Sequence, residues 1–166
     1  MIQLKPDYYV GTVFDIDLDL LWSKGIRTVL LDLDNTIVAF QDSLPSEAIH
    51  DWVGVARRMG FGLCIVSNSY RGRVQLVGDA LGIPYVHMAK KPFRIGVVAA
   101  VGMLSGIPRE TIMIGDQIFT DVLAARLAGV KALLVDPITQ KDFFMTKIYR
   151  TFEYFVKRNL VKERMK

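Results

Sequence analysis

Four clusters of polar residues interrupt an otherwise apolar chain, each directly after or close to a short apolar run. They are Asp32-Leu33-Asp34-Asn35-Thr36, Ser67-Asn68-Ser69, Lys90-Lys91-Pro92, and Gly115-Asp116-Gln117 followed by Thr120-Asp121. Brought together, these carboxylates, a hydroxyl and a lysine suit phosphoryl transfer with a hard cation. Asp32 and Asp116 offer oxygens to Mg²⁺, which takes a few carboxylates alongside water and phosphate oxygen. Asp32 could also attack phosphorus and form an aspartyl-phosphate. Asp34, two residues on, would then stand near the leaving oxygen as general acid and later as base. Ser67 and nearby backbone amides could hold the non-bridging oxygens, and Lys91 could neutralise charge on the phosphoryl group and its nucleophile. Asp121 could keep Lys91, or a metal-bound water, in place. Thr36, Asn68 and Arg71 are the candidates for substrate contact.

These groups meet only if the intervening elements bring them to one place. Residues 28–33, 61–66, 83–87, 111–114 and 130–135 read as short buried strands, rich in β-branched residues and leucine. Between them lie helices over 46–59, preceded by Pro45, and over 71–81, closed by Gly82. A third spans 92–104 with proline in its first turn, and a fourth 121–128, ended by Gly129. Strands alternating with helices predict an α/β fold, a three-layer, doubly wound parallel sheet covered on both faces. Ligands of such sheets bind beyond the carboxyl ends of the strands, which is where the four clusters fall. No repeat, linker or low-complexity stretch divides the chain, so one domain over 1–166 is expected, with its core at about 28–135. Roughly 30 residues separate the first cluster from Ser67, and 23 lie between Ser67 and Lys91. Each gap holds little more than one helix and its loops, so no cap domain is expected. An open site suits a lipid headgroup in a bilayer or a macromolecule better than a small sugar phosphate, which needs enclosure from water.

Other residues read as structural. Asp15-Ile-Asp-Leu-Asp19 repeats the acid spacing but follows no apolar strand, and Leu20-Leu21-Trp22 continues it helically; it is expected at a helix N-terminus, where acids favour the dipole. Arg71 and Arg73 open a helix and could meet an anionic headgroup or stay solvated. Lys90 and His50 are expected at the surface, His87 in a structural role, and Cys64 as inert core.

Composition bounds the remainder. The 166 residues are 51% hydrophobic and 23% charged, which excludes wholesale disorder, collagen and coiled coil. No apolar run of about 18 residues predicts a membrane-spanning helix, and the first residues do not read as a signal peptide. A single cysteine excludes an internal disulfide and a multi-cysteine zinc site, which points to a reducing, cytoplasmic setting. The net charge of +4 is uneven: residues 141–166 carry eight Lys/Arg against three acids, leaving the preceding 140 residues at −1. Residues 141–162 read as an amphipathic helix with Met145, Ile148, Tyr149, Phe152, Phe155, Val156 and Leu160 on one face. Lys147, Arg150, Lys157 and Arg158 lie on the other, with Tyr154 among them. Peripheral contact with an anionic membrane is the expectation for that face. No nucleic-acid partner is expected, and an oligomer is left open.

In order and position the four clusters resemble those of the haloacid dehalogenase (HAD) phosphatases over residues 28–135, with Asp32/Asp34/Thr36, Ser67, Lys91 and Asp116/Asp121 as the matching residues. The resemblance implies a HAD-like Rossmannoid sheet of order 5-4-1-2-3 with Asp32 as nucleophile and Asp34 as acid/base. It implies Mg²⁺ on Asp32, Asp116 and the Asp34 carbonyl, with Asp121 in the same acid group. Asp-Leu-Asp-Asn-Thr, Val-Ser-Asn-Ser and Gly-Asp-Gln-x-x-Thr-Asp, with Leu4-Lys5-Pro6 and residues 13–17, resemble the YqeG family of subclass IIIA. That family is similar to the mitochondrial and plastid phosphatidylglycerophosphate phosphatases, which implies conversion of phosphatidylglycerophosphate to phosphatidylglycerol. The alternatives are a HAD phosphatase of a soluble ester or phosphoprotein, and a phospho-aspartate receiver or binding module without turnover. Asp34 speaks for turnover, because it can protonate a leaving group and then activate water. The cysteine-rich zinc loop of some relatives in this subclass cannot be built here.

Overall fold

The computed structural model describes residues 4–139; the amphipathic helix expected over 141–162 lies outside them. In chain order the elements are β1 (Tyr8–Tyr9), α1 (Leu18–Ser23), β2 (Thr28–Leu31), α2 (Glu47–Arg58), β3 (Gly62–Val66) and α3 (Arg71–Leu81). β4 (Tyr85–Val86), α4 (Ile95–Met103), β5 (Thr111–Gly115), α5 (Leu123–Ala128) and β6 (Lys131–Leu134) complete the described chain. All strand pairings are parallel and the sheet order is β1-β6-β5-β2-β3-β4.

Alternation along the strands builds three layers. Successive side chains point to opposite faces of a sheet. Val29, Leu31, Leu63, Ile65, Ile112, Ile114 and Leu133 therefore enter one apolar cluster, with Leu21 of α1, Trp52 and Val53 of α2, and Val74 and Val77 of α3. Leu30, Cys64, Val66, Met113, Ala132 and Leu134 enter the other, with Val97 and Ala100 of α4 and Ala124 and Ala125 of α5. Both faces are dry, so the strands read as continuous apolar runs.

The five strands expected from the sequence are all present in the order 5-4-1-2-3, and no cap domain lies among the described residues. The sixth strand, β1, extends the sheet by only two residues beside β6. Side chains pin it as well as its ladder. Asp7 accepts from the Ala132 amide (2.8 Å) and pairs with Arg126 (2.9 Å), and the Tyr9 hydroxyl donates to Asp136 (2.6 Å). A strand this short has no alternation to read. The acid cluster at 15–19 takes its expected place: Asp17 caps α1, accepting from the Leu20 amide at 2.9 Å. Likewise Ser46 caps α2, and Gly82 closes α3 in the left-handed conformation.

Two helices begin later than expected, both beside the polar clusters. α4 starts at Ile95 rather than 92, because Lys90 to Phe93 form a turn closed by the Phe93 amide on the Lys90 carbonyl (2.9 Å). α5 starts at Leu123, preceded by one turn of π-helix over Ile118–Val122. β2 touches β3 on one side and β5 on the other. The chain runs outward from β2 through β3 and β4, then returns to β5. This reversal opens the crevice in which doubly wound sheets hold ligands.

Candidate active site

Asp32 stands one residue beyond β2. Its amide still donates to the Ile114 carbonyl at 2.9 Å, so the sheet fixes its backbone. The chain then folds back sharply: the amides of Thr36 (3.3 Å), Ile37 and Val38 (both 3.1 Å) all turn to the Leu33 carbonyl. Asn35 supplies the left-handed residue of this loop, with φ 62°, a region that asparagine tolerates better than most residues. Its buried side-chain oxygen accepts from the Phe40 amide (3.3 Å) and the Thr139 hydroxyl (2.8 Å). Sequence reading did not single out Asn35 for this part.

From β5 come Asp116 and, after the π turn, Asp121. The wider turn folds Asp121 back over the strand end, where its Oδ2 accepts from the Gln117 amide at 3.1 Å. Gly115 leaves room for it: a Cβ there would lie 2.3 Å from Asp121 Cγ. Gly115→Ala is therefore expected to displace the Asp121 carboxylate. Turnover should fall about tenfold or more, because small misplacements at a reacting centre are costly, and the far-UV spectrum should not change. Wild-type rates from this variant would mean that Asp121's position is not needed.

Lys91 enters from the β4–α4 connection. Asn68 grips its backbone twice, donating to the Lys91 carbonyl (2.9 Å) and accepting from its amide (2.8 Å). The Lys91–Pro92 peptide is cis. Lys91 Nζ donates to Asp32 Oδ1 and to Asp121 Oδ1, the latter at 2.6 Å.

Asp32, Asp116 and Asp121 are all buried and each brings a carboxylate oxygen within 4.8 Å of the others. Burial pushes the Asp32 carboxyl up to about 7; the charge of Lys91 opposes that shift and the charge of Asp121 reinforces it. For Lys91, burial disfavours the ammonium, but Asp121 and Asp32 outweigh it and hold the group above the ordinary lysine range. With the carboxylates ionised, three negative charges face one ammonium, an excess of two in a dry site. Unpaired buried charge is costly, and an all-oxygen donor set of this charge fits one hard divalent cation. Asp32, Asp116 and Asp121 are the residues that would hold Mg²⁺, and the cation would polarise a phosphoryl oxygen and offset its charge.

Several residues expected at the site do other work. The Asp34 carboxylate does not join the other three; the metal contact expected of this residue is through its carbonyl. Its Oδ1 pairs with Arg73 Nε (2.6 Å) and its Oδ2 accepts from the Ser69 hydroxyl, so one group from α3 and one from the β3–α3 connection draw it to the mouth. Thr36 is buried, its hydroxyl 3.3 Å from Asp32 and 3.5 Å from Asp116. Its hydroxyl links two carboxylates, and the residue also forms part of a groove wall beside them. Asn68 spends its amide on Lys91. Arg71 is exposed at the start of α3; Arg73 is the arginine that turns inward. Ser67 lies at the strand end as expected, with its Oγ accepting from the Ser69 amide at 3.1 Å. Lys90 and His50 are exposed, and burial pushes the Cys64 thiol up to about 12, in keeping with inert core.

Beside the loop after Asp32 runs a groove of about 440 Å³. Val13, Phe14, Val38, Leu44 and Ile138 line it, and Thr36 connects its wall to the carboxylates. Phe14, Leu44 and Ile138 are each about half exposed. Among the described residues no helix is long and apolar enough to cross a membrane.

A family model described as mitochondrial PGP phosphatase matches residues 2–139. The "Probable phosphatase YqeG" of Bacillus subtilis is 32% identical over 148 residues, 89% of this chain and 86% of that protein. Mitochondrial phosphatidylglycerophosphatase GEP4 of Saccharomyces cerevisiae is 28% identical over 138 residues, 75% of this chain and 74% of its own. Among solved structures, an uncharacterized protein from Listeria monocytogenes serotype 4b superposes with a TM-score of 0.54 at 14% identity. That match covers 80% of this chain and 99% of the other, and it is a likeness of fold.

Proposed function

The chain belongs to the family described as mitochondrial PGP phosphatase, and from that premise we propose that it is a phosphomonoesterase working through Asp32, with phosphatidylglycerophosphate as its substrate. The enzyme class is that of the HAD-type phosphatases. In the proposed first step an Asp32 carboxylate oxygen bonds to phosphorus while the bond from phosphorus to the ester oxygen breaks. Asp34 gives its proton to the departing alkoxide. In the second step Asp34 takes a proton from water as the water oxygen attacks the aspartyl-phosphate, releasing inorganic phosphate and restoring Asp32. Lys91 holds Asp32 in line and offsets charge gathering on the phosphoryl oxygens. The Ser67 hydroxyl, which accepts from the Ser69 amide and keeps its own proton to donate, is the group we assign to those oxygens.

The observation that carries the lipid substrate is the open apolar groove beside Thr36. In this reading an amphiphile leaves its phosphate at the carboxylates and lays apolar surface against Phe14, Leu44 and Ile138, and no cap domain lies among the described residues. A soluble sugar phosphate gains nothing from such a wall. The name of the yeast relative points the same way.

The test is phosphate release with Mg²⁺ from phosphatidylglycerophosphate in mixed micelles, beside glycerol 3-phosphate at equal concentration. The expected result is at least a tenfold preference for the lipid in kcat/KM, abolished by EDTA and restored by Mg²⁺. Equal or higher rates on the soluble ester would remove the lipid reading and leave the phosphatase. Inactivity on both, with a lasting aspartyl-phosphate, would favour a module without turnover.

A further inference from the structure

Asp34 has an unusual set of neighbours for a group that must move protons. Both its oxygens are fixed from outside its own loop, Oδ1 by Arg73 Nε at 2.6 Å and Oδ2 by the Ser69 hydroxyl. Arg73 is itself committed on every side. Its side chain is 14% exposed. Its terminal nitrogens donate to the carbonyls of Asp42 (2.9 Å), Phe40 (3.3 Å) and Ala39 (3.4 Å), and the guanidinium carbon lies 5.9 Å from the centre of the Phe40 ring. One side chain from α3 thus joins the acid to the strap of chain, residues 39–42, that leaves the nucleophile loop. A guanidinium can do this because its planar fork presents several donors in fixed directions, which an ammonium cannot reproduce.

We propose that Arg73 is the positioning residue for proton transfer by Asp34: it keeps the carboxyl at the mouth, turned from the buried carboxylates and toward the departing oxygen. The proposal rests on the acid/base reading of Asp34 given above. Without Arg73, Asp34 loses the tie that separates it from Asp32 by more than chain geometry, and residues 39–42 lose their anchor to α3. The defect should then follow the substrate's need for a proton. An alkoxide is a poor leaving group and needs one; 4-nitrophenolate departs without it.

The experiment compares kcat/KM, which covers steps up to alcohol release, for an alkyl and an aryl ester with Mg²⁺ present. The alkyl ester is micellar phosphatidylglycerophosphate, or glycerol 3-phosphate if the lipid is not turned over; the aryl ester is 4-nitrophenyl phosphate. Arg73→Gln is expected to lose about 100-fold on the alkyl ester, within the range general acid catalysis supplies, and less than about threefold on the aryl ester. Asp34→Asn should show the same selectivity, and adding Arg73→Gln to it should cost little more. Arg73→Lys keeps the charge without the fork and should recover part of the alkyl rate; it carries the test if the glutamine variant fails to fold. Equal losses on both esters would make Arg73 a merely structural residue and overturn the proposal. A selective Asp34→Asn with an unselective Arg73→Gln would overturn it while leaving the acid/base reading intact. An unselective Asp34→Asn would overturn both.

Discussion

Replacing Asp32 by asparagine is expected to reduce phosphate release by about 10⁴-fold or more while the protein stays folded. Losses of this order are typical when a covalent nucleophile is removed. Asparagine fills the same space, and its carbonyl can still accept from Lys91, but its amide forms no stable bond to phosphorus. Folding should survive because the change removes one of three crowded negative charges and leaves Lys91 paired with Asp121. The same substitution has a signature in stability against pH. In the protein without divalent cation, burial raises the Asp32 carboxyl from 3.8 to about 7. The folded state therefore holds this proton more tightly than the unfolded chain. That contribution to stability is complete below pH 3.8 and is lost as pH rises through about 7. Urea unfolding in EDTA should accordingly show the wild type weakening between pH 5 and pH 8, with Mg²⁺ restoring it at pH 8. Asp32→Asn should flatten the profile and lose most of the Mg²⁺ effect. Retained turnover in the variant would end the case for Asp32 as nucleophile.

The sheet was readable because both its faces are buried. Runs such as Val29-Leu30-Leu31 and Ile112-Met113-Ile114 have no polar face to confuse with a surface strand, and the helices between them carry ordinary start and stop residues at Ser46, Gly82 and Gly129. The buried part of the site was readable for a related reason. Asp32, Lys91, Asp116 and Asp121 are charged residues at or close to the ends of apolar runs, where local packing gives them no reason to be. What escaped was whatever depends on contacts between distant segments. Asn68 follows a strand end as any substrate-binding residue might, yet its partner is the backbone of Lys91, brought near by the β3–β4 pairing. Arg71 and Arg73 are alike in sequence, and only the pitch of α3 turns the second toward Asp34. The π turn before α5 left no trace beyond Asp121 itself, because a single wide turn leading into a six-residue helix is too short to show a change of apolar period. β1 was too short to show a period and is held by Asp7, Tyr9 and Arg126, whose partners lie more than a hundred residues away in the chain or across the sheet edge.

Lys91→Met should be the most damaging single change to the fold at this site. Lys91 is the ammonium placed among three buried carboxylates, with direct bonds to Asp32 and Asp121. Methionine has nearly the same length and fills the channel, so packing alone would predict a small effect. The charge argument predicts a large one: removing one partner of a buried ionic group leaves the others uncompensated, at a cost of about 3–5 kcal/mol. Turnover should disappear with it, since nothing then offsets charge between Asp32 and an approaching phosphoryl group. The two effects can be separated by a second substitution. Lys91→Met with Asp121→Asn removes one positive and one negative charge together and should recover much of the stability in urea melts run in EDTA, while activity stays lost. If the single variant were as stable as wild type without added cation, the carboxylates would not be held ionised together by Lys91. The cluster would then have to share protons instead, and the double variant should bring no gain. Saturating Mg²⁺ should rescue part of the single variant's stability by supplying the missing positive charge, but not its turnover, because Lys91 both neutralises Asp32 and fixes where it points.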